Sequence, residues 1–306
     1  MRGPTGVTMT MATNWLITGA GGQFGSVLLA QLVSAGYDAR GWVSPRGPKP
    51  RAGRCEAVDL CDAASGLALL DSTRPRVIVH AAAVTSVQAA YDDPGAARRT
   101  NVDATKRLAE WAAGHDARLI YISTDMVFDG SAAPYDESAA TCPVSRYGRS
   151  KADAEEAVRA IGGDALIVRL PLLYGLPAVD RPTTFVGQLA ALREGRALRL
   201  FTDEFRTPIE LGDAARAVIE AAASTATGVL HVAGPQRLSR YEMIEIAARA
   251  LAIERPNLTP ISRTEAGGPE PRPADLSLLC RRFELLFGRA PGRPMAETMR
   301  QIVKSE

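Results

Sequence analysis

Short apolar runs alternate with segments of helical periodicity along the first 170 residues of the chain. The first run, Asn14 to Thr18, ends at glycines, and apolar residues then recur at the spacing of a helix face, at Phe24, Val27, Leu28 and Leu32. Further runs lie at 37–43, 55–58, 77–80, 118–122 and 165–169, with helical segments at 62–72, at 94–114 and around Tyr147. This alternation predicts an α/β fold with a doubly wound parallel sheet, whose ligands bind at the carboxyl ends of the strands.

The pattern loosens after residue 170, where prolines interrupt it. We predict helices at 213–223 and 239–251, a strand at 228–232, an extended or looping segment at 256–273 and two short helices at the end. The chain therefore divides into a flexible tail (1–13), a sheet-forming domain (14–170) and a smaller C-terminal lobe (171–306), some elements of which return to the sheet.

Composition narrows the function by exclusion. The 306 residues carry a formal net charge of +2, which predicts neither a nucleic acid nor a membrane as the main partner. The four cysteines form no Cys-x-x-Cys pair, and the three histidines, at 80, 115 and 231, have no metal-ligand spacing. No apolar stretch has the length of a signal peptide or a membrane span. A reduced, metal-free cytoplasmic protein is therefore expected.

A glycine-rich turn joins the first strand to the first helix. The stretch reads Gly19-Ala-Gly-Gly22-Gln23-Phe24-Gly25. Glycines at such a turn let the backbone approach a pyrophosphate, which then lies on the N-terminus of the helix. We therefore predict that Gly19, Gly22, Gln23, Phe24 and Gly25 bind a dinucleotide cofactor. A tight turn that is needed for helix packing is the alternative.

The end of the second strand favours NADP(H) over NAD(H). An NAD-preferring site usually has an acidic residue there, which binds the adenosine ribose. This chain has Ser44-Pro-Arg46 instead, and both side chains are suited to hold a 2′-phosphate, unless the basic loop is merely solvated. After the third strand, Asp59 and the adjoining Leu60 are candidates to bind the adenine, although an N-terminal helix cap also explains Asp59.

Small residues end the fourth strand. His80 is expected to pack or hydrogen-bond there, and Ala81, Ala82 and Ala83 allow a cofactor to lie against the backbone. Thr85 follows as a candidate substrate ligand.

The fifth strand ends in the polar residues Ser123, Thr124 and Asp125. A hydroxyl at the carboxyl end of a strand points into the ligand crevice, so we expect Thr124 to bind a substrate carbonyl. Capping of the next turn is the rival role for Ser123 and Asp125.

Tyr147 and Lys151 are four residues apart in an alanine-rich segment that is typical of helix, so both lie on one helical face. Of the seven tyrosines, Tyr147 alone has a basic residue at i+4. The ammonium is expected to lower the pKa of the phenol toward neutral pH. Thr124 is the third member of this group. Taken without Thr124, the pair could equally belong to a solvated helix face, where such spacings occur by chance.

Several motifs in combination resemble one enzyme family. They are Gly19–Gly25, Ser123–Gly130, Pro143–Lys151, Arg169–Gly175, Arg206–Pro208 and Gly228–Gly234. With these motifs, which span nearly the whole chain, the sequence resembles the extended short-chain dehydrogenases/reductases, and within them the dTDP-4-dehydrorhamnose reductase branch. The region 14–170 is then an NAD(P)-binding Rossmann domain, and 171–306 is mainly the substrate-binding lobe.

The resemblance implies an oxidoreductase that uses NADPH to reduce a 4-keto (6-deoxy) nucleotide sugar in deoxysugar biosynthesis. Leu172 stands where the rhamnose reductases carry a substrate-contacting tryptophan, which leaves the identity of the sugar open. Arg206 is expected to clamp the substrate diphosphate, with a surface ion pair as the alternative. Such reductases often dimerise, so a homodimer is compatible with the resemblance. The implied catalytic residues are Thr124, Tyr147 and Lys151, and the resemblance implies that Tyr147 and Lys151 also bind the cofactor. The implied substrate ligands are Thr85, Thr124, Asp125, Leu172 and Arg206.

Two other functions stay open. The sequence is also similar to the regulatory β subunit of methionine adenosyltransferase, which shares the fold, the tyrosine and the lysine but works as a binding partner. The third candidate is a nucleotide-sugar epimerase or dehydratase, which recycles the hydride on a bound cofactor. A dehydratase commonly adds carboxylates beside the threonine, whereas Met126 follows Asp125 here.

Overall fold

The computed structural model describes residues 13–265 and 267–305. Its helices are α1 (Gln23–Ser34), α2 (Ala63–Thr73), α3 (Val87–Asp92), α4 (Pro94–Arg98), α5 (Ala104–Gly114), α6 (Arg146–Ile161), α7 (Thr184–Arg193), α8 (Leu211–Ala223), α9 (Arg240–Ala250), α10 (Arg281–Phe287) and α11 (Met295–Ser305). Its strands are β1 (Asn14–Thr18), β2 (Asp38–Val43), β3 (Arg54–Ala57), β4 (Val77–His80), β5 (Arg118–Thr124), β6 (Ala165–Leu170), β7 (Leu173–Tyr174), β8 (Leu198–Phe201), β9 (Phe205–Arg206), β10 (Ile209–Glu210), β11 (Gly228–His231), β12 (Leu238–Ser239) and β13 (Leu258–Ile261).

Seven parallel strands form the central sheet, in the order β3-β2-β1-β4-β5-β6-β11. The order reverses between β1 and β4, which opens a crevice at the carboxyl ends of these two strands. The predicted doubly wound Rossmann-like sheet is confirmed.

Alternating side chains of the strands cover both faces of the sheet. Along β1, Trp15 and Ile17 belong to one buried apolar cluster and Leu16 to another. The first cluster lies under α1 and α8, which pack together, and the second lies under α2, α5 and α6. Because both faces are covered, the inner strands β1, β4, β5 and β6 consist almost entirely of buried residues, whereas the edge strand β3 has none.

A third apolar cluster forms the core of the C-terminal lobe. It joins α7, α9 and α11 through side chains such as Phe185, Met243 and Met299. Three short pairs of strands, β7 with β10, β9 with β12 and β8 with β13, complete the lobe. None of the helices in the described ranges is long and apolar enough to cross a bilayer.

The structure corrects several predicted elements. In the predicted extended or looping segment at 256–273, β13 is the extended part and pairs with β8. The helix predicted at 94–114 is α4 and α5 joined by a π-helical turn, Arg99–Asp103, and α7 was not predicted. The predicted tail lies outside the described residues except for Thr13. The division at residue 170 stays a prediction, with α8 and β11 as the elements that return to the sheet.

Candidate functional site

A cleft of about 730 Å³ runs along the carboxyl ends of the sheet and on to the C-terminal lobe. Every residue that the sequence suggested for the site lines this cleft, with one exception. Arg46 is exposed and does not contribute to the lining, although its neighbours Ser44 and Pro45 do. The cleft also contains residues that the sequence did not single out, among them Arg181 and Arg240.

The glycine turn leaves no space for side chains. Gly19 has a φ of 70°, and a Cβ atom there would lie 2.6 Å from the backbone nitrogen of Ala82. A Cβ atom on Gly25 would collide with the carbonyl oxygen of Gly19. Gly22 caps α1 without a side-chain hydrogen bond to the first turn, so the N–H groups of this helix end are available to an anion.

The far rim of the cleft is formed by the ends of β2 and β3. Ser44 and Asp59 are both exposed here. Asp62, not Asp59, caps α2, and Asp59 instead accepts a hydrogen bond from the backbone of Cys61 at 2.9 Å. The helix-cap alternative for Asp59 is therefore wrong.

His80 is a buried structural residue at the end of β4. Its Nδ1 lies 2.6 Å from Thr18 Oγ1, and its Nε2 lies 2.9 Å from Thr105 Oγ1. Thr105 donates its own proton to the carbonyl of Asn101, so it accepts from Nε2–H, and Nδ1 accepts from Thr18. Burial lowers the pKa of His80 to about 3, so the ring is neutral.

The π-helical turn places Asn101 against the strand end. Asn101 Oδ1 accepts from the backbone nitrogen of Val84 at 2.7 Å, and its Nδ2 donates to Ser150 Oγ at 2.9 Å. Ser150 in turn donates to the carbonyl of Tyr147 at 2.7 Å. Asn101 therefore ties α6, and with it Tyr147, to the end of β4. The sequence left its role open, since a π turn has no clear signature in apolar periodicity.

Thr124 and Tyr147 meet at the centre of the cleft, and both are buried. The Thr124 hydroxyl donates to Asp125 Oδ1 and accepts from the backbone nitrogen of Met126, each at 3.2 Å. Burial raises the pKa of Tyr147 to about 12, and a hydrogen bond with Thr124 opposes this rise. Thr124 thus caps the next turn, which was the rival role for Ser123 and Asp125.

Lys151 lies on the floor of the cleft. Its Nζ donates to the carbonyl of Ile122 at 2.7 Å and stands 4.2 Å from the centre of the Tyr121 ring. Burial lowers the pKa of this ammonium to about 7, against an opposing effect of Glu155. The prediction that Lys151 brings the pKa of Tyr147 toward neutrality is wrong for this arrangement, because the desolvation of the buried phenol dominates.

A buried cluster of charges lies where the cleft meets the C-terminal lobe. Arg206 Nε is 3.3 Å from Asp125 Oδ2, and its Nη2 is 3.4 Å from Glu204 Oε1. Arg240 and Arg272 also approach Glu204, at 3.7 and 3.5 Å. The alternative of a surface ion pair for Arg206 is wrong, since its side chain is almost fully buried. Glu204 and Arg240 were missed because neither lies within a motif that the sequence singled out.

Leu172 lies on the lobe side of the cleft, partly buried against the apolar cluster of the lobe. Thr85 is exposed at the opposite side, after the alanines that follow β4. Within the described ranges, no three histidine, cysteine or carboxylate side chains come together as a metal site would require.

The fold and the cleft define a Rossmann-type α/β protein with a nucleotide-sized site at the switch point of its sheet. The chain belongs to the family described as RmlD substrate binding domain, whose model matches residues 13–305.

Two relatives illustrate this membership, and one solved structure shares the fold. The chain is 30% identical over 275 residues to methionine adenosyltransferase 2 subunit beta of Xenopus laevis, covering 88% of this chain and 81% of the relative. It is 31% identical over 266 residues to a dTDP-4-keto-6-deoxy-D-glucose reductase of Streptomyces niveus, covering 86% and 87%. A dTDP-4-dehydrorhamnose reductase of Bacillus anthracis, solved in complex with NADP, has the same fold, with a TM-score of 0.84, 24% identity and coverage of 96% and 100%.

Proposed function

We propose that this protein is an NADPH-dependent reductase of a 4-keto (6-deoxy) nucleotide sugar, a short-chain dehydrogenase/reductase of deoxysugar biosynthesis. The observation that carries the proposal is one continuous cleft that contains the glycine turn, Thr124, Tyr147, Lys151 and Arg206. A cytoplasmic homodimer belongs to the same proposal.

The residues along the sheet fit a dinucleotide. Gly19 and Gly25 have no space for a Cβ atom, so the backbone of the turn can approach a phosphate, and the uncapped N-terminus of α1 attracts its charge. Ser44, and not a carboxylate, follows β2 and lines the rim, and this favours NADP(H) while NAD(H) remains the second choice. Asp59 and Leu60 are proposed for the adenine, and Ala81, Ala82 and Ala83 for the floor.

Proton delivery falls to Tyr147. When bound, the nicotinamide supplies the hydride. A phenol with its pKa raised to about 12 stays protonated at neutral pH and can donate to a forming alkoxide, which is the stronger base. Lys151 stands on the same helical face, and two of its three N–H donors remain after the bond to Ile122, for the cofactor ribose and the developing phenolate. Thr124 orients the ketone once its hydroxyl, which has one proton and donates it to Asp125 in the structure, turns toward the substrate.

The lobe end of the cleft is suited to the nucleotide diphosphate. Arg206 and Arg240 both line it, and the buried carboxylates of Asp125 and Glu204 hold Arg206 in place. Arginine guanidinium groups bind phosphate oxygens in a bidentate manner. Leu172 offers the sugar an apolar surface in place of an aromatic ring.

The experiment that tests the proposal is Tyr147→Phe, assayed with 4-keto-6-deoxy nucleotide sugars. We expect unchanged NADPH binding by fluorescence titration and a loss of turnover of about 10²-fold or more, because the phenyl ring packs alike but has no proton to donate. Tyr241→Phe is the matched control, since Tyr241 lies in the apolar cluster of the lobe and outside the cleft lining, and it should keep full activity. Normal turnover by Tyr147→Phe would contradict the assigned role.

A second candidate is a non-catalytic, NADP-binding regulatory subunit. The relatives described as methionine adenosyltransferase 2 subunit beta favour it, because they are as similar to the chain as the reductase relative is. The relative from Xenopus laevis is 30% identical over 88% of the chain, and the reductase is 31% identical over 86%. Copurification with a methionine adenosyltransferase, together with no NADPH consumption across the sugar panel, would replace the reductase by this function.

A further inference from the structure

Glu155 is a carboxylate with 0% exposure, one helical turn after Lys151 on α6, and the proposed chemistry does not use it. Its Oε1 accepts from Ser123 Oγ at 2.6 Å and from Arg169 Nε at 2.9 Å. Its Oε2 accepts from Arg169 Nη2 at 2.7 Å and from Arg159 Nη2 at 2.6 Å. Four donors from β5, β6 and α6 therefore saturate one buried carboxylate.

These bonds fix the strand end that carries the candidate site. Ser123 lies between Ile122, whose carbonyl accepts from Lys151 Nζ at 2.7 Å, and Thr124 at the centre of the cleft. Ser123 is also the register partner of Arg169 on β6. Glu155 thus joins α6 to two neighbouring strands at the level of the Lys151 ammonium.

We propose that Glu155 is a positioning residue that keeps the Lys151 ammonium charged on the floor of the cleft and holds the end of β5 to which this ammonium is bonded. A buried ammonium is unstable unless negative charge compensates it. Glu155 has this effect on Lys151, where it opposes the lowering of the lysine pKa by burial.

The other groups around Lys151 cannot take over this role. His80 on β4 is neutral, because burial lowers its pKa to about 3. Tyr121 on β5 and Tyr147 on α6 are neutral phenols, because burial raises the pKa of both. Arg169 on β6 carries a positive charge and is bound to Glu155 by two hydrogen bonds, so it cannot supply the negative charge that the ammonium needs.

The inference rests on the proposed function in one respect, namely that a charged Lys151 serves reduction, but it can be tested on Lys151 directly. The sequence contains four lysines, Lys49, Lys106, Lys151 and Lys304, so a protein labelled with [¹³Cε]lysine gives four resonances. Lys151→Arg assigns the resonance of interest. Its titration between pH 5 and 10 reports the protonation of Lys151 whether or not the protein turns over a sugar.

We expect Glu155→Gln to lower the titration midpoint of Lys151 by about one pH unit, because the amide keeps the size of the side chain but not its charge. Glu156→Gln is the matched control on the same helix; Glu156 is exposed, and the midpoint should not change. Arg159→Gln removes a positive charge from the other side of Glu155 and should raise the midpoint, by less, since Arg159 is 44% exposed. A purely structural role predicts no such opposite shifts.

An unchanged midpoint in folded Glu155→Gln, with circular dichroism as the check on folding, would overturn the proposal. If this variant does not fold, Arg159→Gln decides, and a midpoint that stays or falls would count against it. Failure of the wild-type protein to reduce any sugar of the panel would instead contradict the proposed function and leave the Lys151 titration unaffected.

Discussion

Thr124 has two structural hydrogen bonds besides its place at the centre of the cleft, with Asp125 and with the backbone of Met126. Thr124→Val keeps the shape of the side chain but removes the hydroxyl. We expect turnover to fall by roughly 10²-fold, as for the loss of one oriented donor at a reacting oxygen. The unfolding free energy should fall by about 1 kcal/mol, because the turn loses its cap. Steady-state kinetics and thermal unfolding measure the two effects.

Thr124→Ser is the control for this substitution, since it retains the hydroxyl and should have near-normal turnover. Equal kcat values for the serine and valine variants would mean that the hydroxyl does not orient the substrate.

At this scale the sequence predicted which side chains meet, but not their protonation. Tyr147 and Lys151 share a helical face by spacing alone, and Thr124 joins them because a strand ends there. The pKa of Tyr147 depends on the walls that bury it, and these come from α3, α4, the segment after β4 and the turn after β5. Such walls are a property of the tertiary structure, so spacing predicted the wrong direction for the pKa.

At the scale of the elements, the turn between β1 and α1 leaves no space for a side chain at Gly25. In Gly25→Ala the new methyl group would collide with the carbonyl oxygen of Gly19, so the first turn of α1 must shift. We expect NADPH affinity to fall by about tenfold or more and the unfolding free energy to fall by about 1–3 kcal/mol. Fluorescence titration and chemical denaturation measure these quantities.

Gly187→Ala provides the contrast, because Gly187 is an exposed residue of α7 with no atom within 4 Å of the added methyl group. This substitution should stabilise the protein by up to about 1 kcal/mol without an effect on NADPH. If both variants bound NADPH like the wild type, the turn would not be the phosphate site.

The strands of the sheet could be predicted within one or two residues, because most of them are buried apolar runs between polar turns. The elements of the lobe could not. The strands β8, at Leu198–Phe201, and β13, at Leu258–Ile261, pair across nearly 60 residues of chain. Both are partly exposed, so their sequences do not form the buried apolar run by which a strand is predicted. The π turn at Arg99–Asp103 depends on the bonds of Asn101 to the distant end of β4, which no local pattern contains.

In the whole molecule, charged and polar side chains are buried between the sheet and its neighbours as well as in the cleft. His231 at the end of β11 has 0% exposure; its Nδ1 donates to the carbonyl of Leu279 at 3.0 Å, and its Nε2 faces Arg169 at 3.4 Å. Burial and the positive charge of Arg169 lower its pKa from 6.5 to about 4. Folding therefore keeps His231 neutral over a pH range in which the unfolded chain protonates it.

This difference predicts how stability depends on pH. A base whose pKa is lowered by folding contributes stability above its unfolded pKa and loses it as pH falls toward its folded pKa. For His231 the window is pH 6.5 to about 4, with a slope of about 1.4 kcal/mol per pH unit, and His80 adds the same slope down to about pH 3. We expect the unfolding free energy from urea titrations to fall steeply through this window.

His231→Gln isolates one of the two contributions, because the glutamine amide can still donate to Leu279 but does not titrate. Its slope between pH 6 and 4.5 should be shallower than that of the wild type by about 1.4 kcal/mol per pH unit. Carboxylates that titrate in the same range are common to both proteins and cancel in the comparison, so equal slopes for His231→Gln and the wild type would mean that folding does not lower the pKa of His231.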